Sequence, residues 1–130
     1  MDRLRFQSLA SGSSGNCYFI GNASYGFLID AGIGVRTIRK CLRNIGLDFR
    51  NIWGIFVTHD HADHIKAVGT LGERYKVPVY ATRMTHEGIK RSYCVTEKLY
   101  LNINQKPLMR IQLHLLYQVM TSHQWLCRLS

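Results

Sequence analysis

Five side chains of types that commonly bind metal ions fall within six consecutive positions of this sequence. The stretch FVTHDHADHI contains, in order, His59, Asp60, His61, Asp63 and His64. Neutral imidazole nitrogens and carboxylate oxygens suit zinc, and also manganese or iron. This group of residues follows a short apolar run and leads into a helical pattern. Its position therefore indicates a metal site rather than a chance group of histidines.

The spacing also predicts how the donors divide between two ions. His59 and His61 are two positions apart on a loop, so both imidazoles can converge on one ion. Asp63 and His64 are adjacent at a predicted helix start and can reach a second ion beside the first. A pair of ions about 3.5–4 Å apart can bind one water between them and activate it at neutral pH. Asp60 lies between ligands and is expected to face away.

The elements that position this loop begin with three predicted strands. The stretches LRFQSLA, CYFI and FLIDAG are separated by the turns SGSSGN and GNASYG. These connections are too short for a crossover helix and favour an antiparallel meander. The third strand ends at Asp30.

The rest of the chain predicts alternating helices and strands. An amphipathic helix runs from Val35 to Ile45 and ends at Gly46. The strand IWGIFVT leads into the histidine motif, and one helix is expected from Asp63 through ERY. A strand, VPVYA, and a short helix, THEGIKRSYC, follow. This order is typical of a layered α/β protein whose chemistry lies in loops at strand ends.

Composition places the chain among single-domain globular proteins. It has 130 residues and 46% apolar content. No apolar run is long enough for a membrane span, and the N-terminus lacks the apolar core of a secretory signal. The four cysteines are far apart in the sequence and form no C-x-x-C pair, which predicts reduced thiols and a cytoplasmic location.

The net charge of +9 is compatible with a nucleic-acid partner. The basic residues of the first predicted helix are Arg36, Arg39, Lys40 and Arg43. They could contact phosphates or form a solvated face, and a basic protein without a nucleic-acid partner is an equal alternative.

The motif THDHADHI resembles the signature of the metallo-β-lactamase superfamily of binuclear metallohydrolases. SGSSGN and FLIDAG match the early loop and the aspartate-ending strand of that superfamily. SLASGSSGNCYFI together with HIKAVGTLGERYKVPVYAT is similar to its small YycJ- or VicX-like branch. The resemblance implies an α/β fold, the N-terminal half only of the αββα sandwich.

The resemblance also implies a ligand set. His59 and His61 would bind the first of two divalent ions, and Asp63 and His64 the second, with zinc expected and manganese or iron as alternatives. Asp63 would orient a metal-bridging hydroxide, and Asp30 would hold the ligand loop. The implied activity is hydrolysis of nucleic acid as a phosphodiesterase or exonuclease.

Three further polar residues have an ordinary structural interpretation beside a functional one. Asp30 could simply cap the turn after its strand, and Asn16 could belong to a plain tight turn rather than line the pocket. His86 is expected to be a surface residue of a helix.

The sequence departs from the family pattern after Glu97. The family requires a third histidine on the first metal, a bridging aspartate and a late histidine, but no acidic residue follows Glu97 and the late histidines are His114 and His123. We therefore predict a half-domain over residues 1–105 and a divergent tail over residues 106–130, and one explanation of that tail is that it is read out of frame. The alternative function is a catalytically incomplete fragment that binds metal weakly or nucleic acid by charge.

Overall fold

Six strands form one mixed sheet in the computed structural model, which describes residues 4–92 and 105–107. The strands are β1 Arg5–Ala10, β2 Cys17–Gly21, β3 Gly26–Ile29, β4 Ile52–Phe56, β5 Val79–Ala81 and β6 Gln105–Pro107. They lie side by side in chain order. β1 pairs with β2, and β2 with β3, in antiparallel orientation, which confirms the predicted meander. The three following pairs, β3 with β4, β4 with β5 and β5 with β6, are parallel.

Within the described residues, four α-helices pack on one face of this sheet. They are α1 Val35–Asn44, α2 Ala62–Ile65, α3 Val68–Arg74 and α4 Arg83–Arg91. Their buried apolar residues belong to the same cluster as Leu28 and Ile55, which are register partners on β3 and β4. α1 ends where predicted, because Gly46 adopts a φ of 82° that continues no helix. Within the described residues, none of the helices has the length and apolarity needed to cross a bilayer.

The opposite face of the sheet carries a row of aromatic rings. The ring centroids of Phe27 and Phe56 are 5.1 Å apart, and those of Phe56 and Tyr80 are also 5.1 Å apart. Side chains alternate between faces along a strand, so these rings point away from the helix-covered core. One sheet with helices on a single face is the half-sandwich arrangement that the sequence predicted.

The prediction of one continuous helix from Asp63 through Tyr75 is wrong, because the chain forms α2 and α3 with a break at Lys66 and Ala67. In a continuous helix the Ala67 N–H would donate to the Asp63 carbonyl. That carbonyl instead accepts from the backbone N–H of Asn16 at 2.7 Å, and Ala67 donates to Ala31 at 2.8 Å. Two long-range hydrogen bonds thus replace one helical bond.

The short helix predicted from Thr85 begins earlier, at Arg83. Thr82 precedes it as the N-cap, and its hydroxyl accepts from the Thr85 N–H at 3.2 Å. The prediction that His86 lies on the surface is also wrong, since this side chain is only 8% exposed. His86 lies on the side of α4 that also buries Ile89.

Two other predictions reach beyond the described residues. The predicted domain boundary at residue 105 falls inside β6, and the division itself stays a prediction. His114, His123 and the out-of-frame tail lie outside the described residues.

Candidate metal centre

The histidine motif lies at the sheet edge where the parallel strands β3 and β4 end. Asp30 directly follows β3, and Thr58 and His59 come shortly after β4. The Asp30 backbone N–H donates to Phe56 on β4 at 2.8 Å, and Asp30 has a φ of 60°, in the left-handed region. This turn directs the Asp30 side chain beneath the loop that carries the histidines.

The fully buried Asp30 carboxylate accepts hydrogen bonds from three donor groups. One oxygen, Oδ1, accepts from the backbone N–H of Thr58 at 2.7 Å. The other, Oδ2, accepts from the Thr58 hydroxyl at 2.6 Å and lies 2.7 Å from Nδ1 of His64. An ionised carboxylate accepts hydrogen bonds and donates none, so the His64 proton must be on Nδ1. The hydrogen bond to Asp30, together with its negative charge, raises the pKa of His64.

The Thr58 hydroxyl extends this network to His59. Its single proton is donated to Asp30, and its oxygen lies 2.9 Å from Nδ1 of His59. The hydroxyl oxygen therefore accepts from an Nδ1–H of His59. In both His59 and His64 the Nδ1 atom is thus held by the protein, which leaves the Nε2 lone pair of each neutral ring free for a cation.

His59 and His64 lie closely enough to share bound metal, whereas the predicted ligands His61 and Asp63 fall outside the group of potential ligand atoms found within the described residues. The ring centroids of His59 and His64 are 4.7 Å apart, and those of His59 and His61 are 6.0 Å apart. Ligand-type atoms of Asp30, His59 and His64 also lie within 4.8 Å of one another. Because both Asp30 oxygens already accept hydrogen bonds, Asp30 fits the role of orienting imidazoles better than that of a ligand. The donor set suits a borderline metal ion such as zinc.

Asp63 lies in the first turn of α2, as predicted, and is held by the loop between β1 and β2. Its Oδ2 accepts from the Asn16 side-chain amide at 3.3 Å and lies 3.7 Å from Nε2 of His64. The Asn16 amide also bonds to Gly12 within its own loop. Asn16 therefore both closes a tight turn and contacts the motif.

Gly32 is a close-approach point that sequence reasoning did not single out. A Cβ built there would overlap the carbonyl of Asp63 and would lie 2.7 Å from the backbone nitrogen of His64. Thr58 was missed as well, although its position directly before the first histidine was a usable signal. Asp60 does not join the imidazole cluster, and its carboxylate lies against Gly88 on α4.

The basic face of α1 is partly used within the protein. Arg39 and Arg43 lie 3.2 and 3.4 Å from the two carboxylate oxygens of Asp48. The Arg39 guanidinium also lies over the rings of Phe49 and Tyr75, 5.3 and 5.5 Å from their centroids. These contacts favour a structural role for Arg39 over a role in binding phosphate.

A family model matches most of this chain. Residues 10–101 match the model of the metallo-beta-lactamase superfamily. The chain belongs to the metallo-beta-lactamase superfamily. The metallo-beta-lactamase fold is also found in solved structures, among them MEM-A1, a subclass B3 enzyme from a soil metagenome library. That likeness has a TM-score of 0.61 at 16% identity and covers 80% of this chain and 43% of that one.

Two curated relatives of this metallo-beta-lactamase-like chain confirm the predicted YycJ-like branch. The chain is 40% identical over 82 residues to exodeoxyribonuclease YycJ of Bacillus anthracis, and this match covers 63% of the chain and 31% of the relative. It is 34% identical over 89 residues to exodeoxyribonuclease WalJ of Streptococcus pneumoniae, covering 68% and 33%. The chain therefore spans about a third of the length of these relatives.

Proposed function

We propose that this chain carries the metal-binding loop of a divalent-metal-dependent phosphodiesterase that degrades DNA from its ends. The observation that carries the proposal is the Asp30 network, in which one buried carboxylate orients His59 and His64. Relatives named exodeoxyribonucleases supply the substrate class. The net charge of +9 supports a polyanionic partner.

Four residues would hold the metal ions. His59 and His61 would bind one ion, and Asp63 and His64 a second, with zinc preferred over manganese or iron. When bound, such ions polarise a phosphoryl oxygen and lower the pKa of water. Retaining Nδ1 protons on His59 and His64 leaves neutral rings with one nitrogen each for binding.

The protein's own residues would then orient the reactants. Asp63 accepts one hydrogen bond from Asn16, and a carboxylate has capacity for several more. Asp63 is therefore the residue we assign to orienting the attacking water and accepting its proton. Asp30 and Thr58 would keep the imidazoles in place while this charge moves.

The free thiols of Cys17 and Cys41 support a cytoplasmic setting for this reaction, where cysteines stay reduced. DNA is the partner we assign.

The test combines metal analysis with a nuclease assay on the purified 130-residue chain. We expect about two ions per chain, and release of nucleotides from end-labelled DNA that stops when a chelator removes the metal. His61→Ala should lower this release by at least about 100-fold, because losing a ligand should cost no less than losing a residue that only orients one. Lys66→Ala, an exposed neighbour of the motif, is the matched control and should leave release unchanged. Less than one ion together with no release would overturn the proposal for this chain.

A second candidate is a catalytically incomplete fragment that binds metal weakly or DNA by charge. It is favoured by one observation: within residues 4–92, the clustered donors come from a single loop and the end of one strand. DNA binding that persists in chelator and weakens steeply with salt would support this candidate.

A further inference from the structure

The side chain of Asp60 fills the space above Gly88 in the middle of α4. A Cβ added to Gly88 would overlap Oδ2 of Asp60, and would lie 2.6 Å from its Cγ and 2.8 Å from its Cβ. Three atoms of one side chain therefore rest on the helix backbone at this single residue. Glycine within a helix costs about 0.5–1 kcal/mol relative to alanine, so a buried mid-helix glycine calls for a compensating contact.

The contact between Asp60 and Gly88 is van der Waals packing rather than hydrogen bonding. Within residues 4–92, the Asp60 carboxylate forms no hydrogen bond or ion pair, and it lies against the Gly88 backbone. This carboxylate also stays outside the cluster of Asp30, His59 and His64. Its packing against Gly88 is what marks a structural role, since His61 and Asp63 also lie outside that group.

We propose that Asp60 is a positioning residue that seats the metal loop, residues 58–64, on α4 through Gly88. This inference rests on the proposed function, because it treats His59 and His61 as metal ligands. Asp60 lies between these two histidines in the chain, so fixing its side chain fixes the direction of the backbone that carries both imidazoles. The Thr58 and Asp63 ends of the loop are held separately, by Asp30 and by Asn16. Asp60 supplies the anchor in the middle.

The anchor reverses the usual effect of a glycine-to-alanine change. Alanine in a helix interior ordinarily stabilises a protein by about 0.5–1 kcal/mol. At Gly88 the added methyl would displace Asp60, and the displacement would pass to His59 and His61. A gain in helix propensity would thus accompany a loss in metal binding.

The experiment uses the full chain and four single variants. Zinc affinity is measured by competition against a chromophoric chelator. Gly88→Ala should weaken zinc binding by about tenfold or more, the scale seen when residues that orient ligands are changed. Lys90→Ala, an exposed change on the same helix, is the control and should stay within twofold. Asp60→Asn keeps the shape and should bind zinc like the parent chain, whereas Asp60→Ala should weaken binding.

A double variant and a metal-free measurement make the outcome decisive. Asp60→Ala combined with Gly88→Ala should recover most of the affinity lost by Gly88→Ala alone, because two of the three close atoms are gone. Without metal, Gly88→Ala should shift the imidazole NMR signals of His59 and His61, and Asp60→Asn should not. If the parent chain binds no zinc, the proposed function fails while these spectra still decide the contact. Unchanged spectra with higher thermal stability in Gly88→Ala would overturn the inference.

Discussion

The carboxylate of Asp30 and the Nδ1 atom of His64 meet at 2.7 Å, although the two residues are 34 positions apart in the chain. Asp30 is completely buried, and His64 is the third residue of the four-residue helix α2. The contact joins the end of β3 to the metal loop and fixes the tautomer of the imidazole.

Asp30→Asn should lower both zinc affinity and stability. An amide in place of the carboxylate has one acceptor oxygen, so its NH₂ group would face either the Thr58 backbone N–H or both the Thr58 hydroxyl and the His64 Nδ1–H. A buried group left without a partner costs about 1–3 kcal/mol, and lost orientation costs about 10–100-fold in metal affinity. Chelator competition and thermal unfolding measure the two effects. An affinity equal to that of the parent chain would contradict the role assigned to Asp30.

Thr58→Val should affect His59 through the lost hydroxyl. Valine matches the shape of threonine but cannot bridge Asp30 and His59, so we expect zinc affinity to fall by about tenfold. Thr58→Ser retains the hydroxyl and serves as the control. The comparison of the two variants by chelator competition isolates the hydrogen bond, and equal affinities in both would refute the bridge.

The motif residues could be predicted from the sequence because metal donors at short spacing are a local signal. The meander and α1 could be predicted for the same reason, since they depend on short turns and on a helical period. The break between α2 and α3 could not, because it depends on Asn16 taking the Asp63 carbonyl from 47 positions away. The sequence keeps a continuous helical pattern across this break, so the pattern alone does not predict it.

Long-range packing also explains the errors and omissions at the site. His86 has polar and charged neighbours in the sequence, yet α4 turns it towards the interior beside Ile89. The contact between Asp60 and Gly88 joins two elements separated by a strand and a helix. Each residue alone has an ordinary local explanation, so only the fold reveals the pair.

Asp48 provides a prediction about pH. The backbone N–H of Phe49 and the guanidinium groups of Arg39 and Arg43 hold the pKa of Asp48 below its ordinary value of 3.8. A carboxyl with a lowered folded-state pKa stabilises the fold fully above that ordinary value, and the contribution is lost as pH falls through the folded pKa. Asp48→Asn keeps a cap acceptor and removes only the charge, so it should cost about 0.5 kcal/mol at pH 7, and the difference from the parent chain should shrink below about pH 4.

Denaturant unfolding at several pH values measures this difference. Glu87→Gln is the control, because its partner Arg83 is 94% exposed and a surface pair contributes little. A constant difference between the parent chain and Asp48→Asn from pH 7 to pH 3 would contradict the prediction.

Gly32→Ala tests whether the approach of two backbone segments holds the metal loop. The new methyl would overlap the Asp63 carbonyl, and backbone atoms cannot move aside as a flexible side chain could. We expect a loss of about 2–3 kcal/mol in unfolding free energy, at the upper end for an overpacked site, together with weaker zinc binding. Gly34→Ala is the matched control, because a Cβ there would lie no closer than 4.0 Å to its nearest neighbour, the Thr37 hydroxyl, and the φ of −63° suits any residue. Denaturant unfolding of both variants decides the matter, since similar losses at the two glycines would mean that the contact with Asp63 is not what requires Gly32.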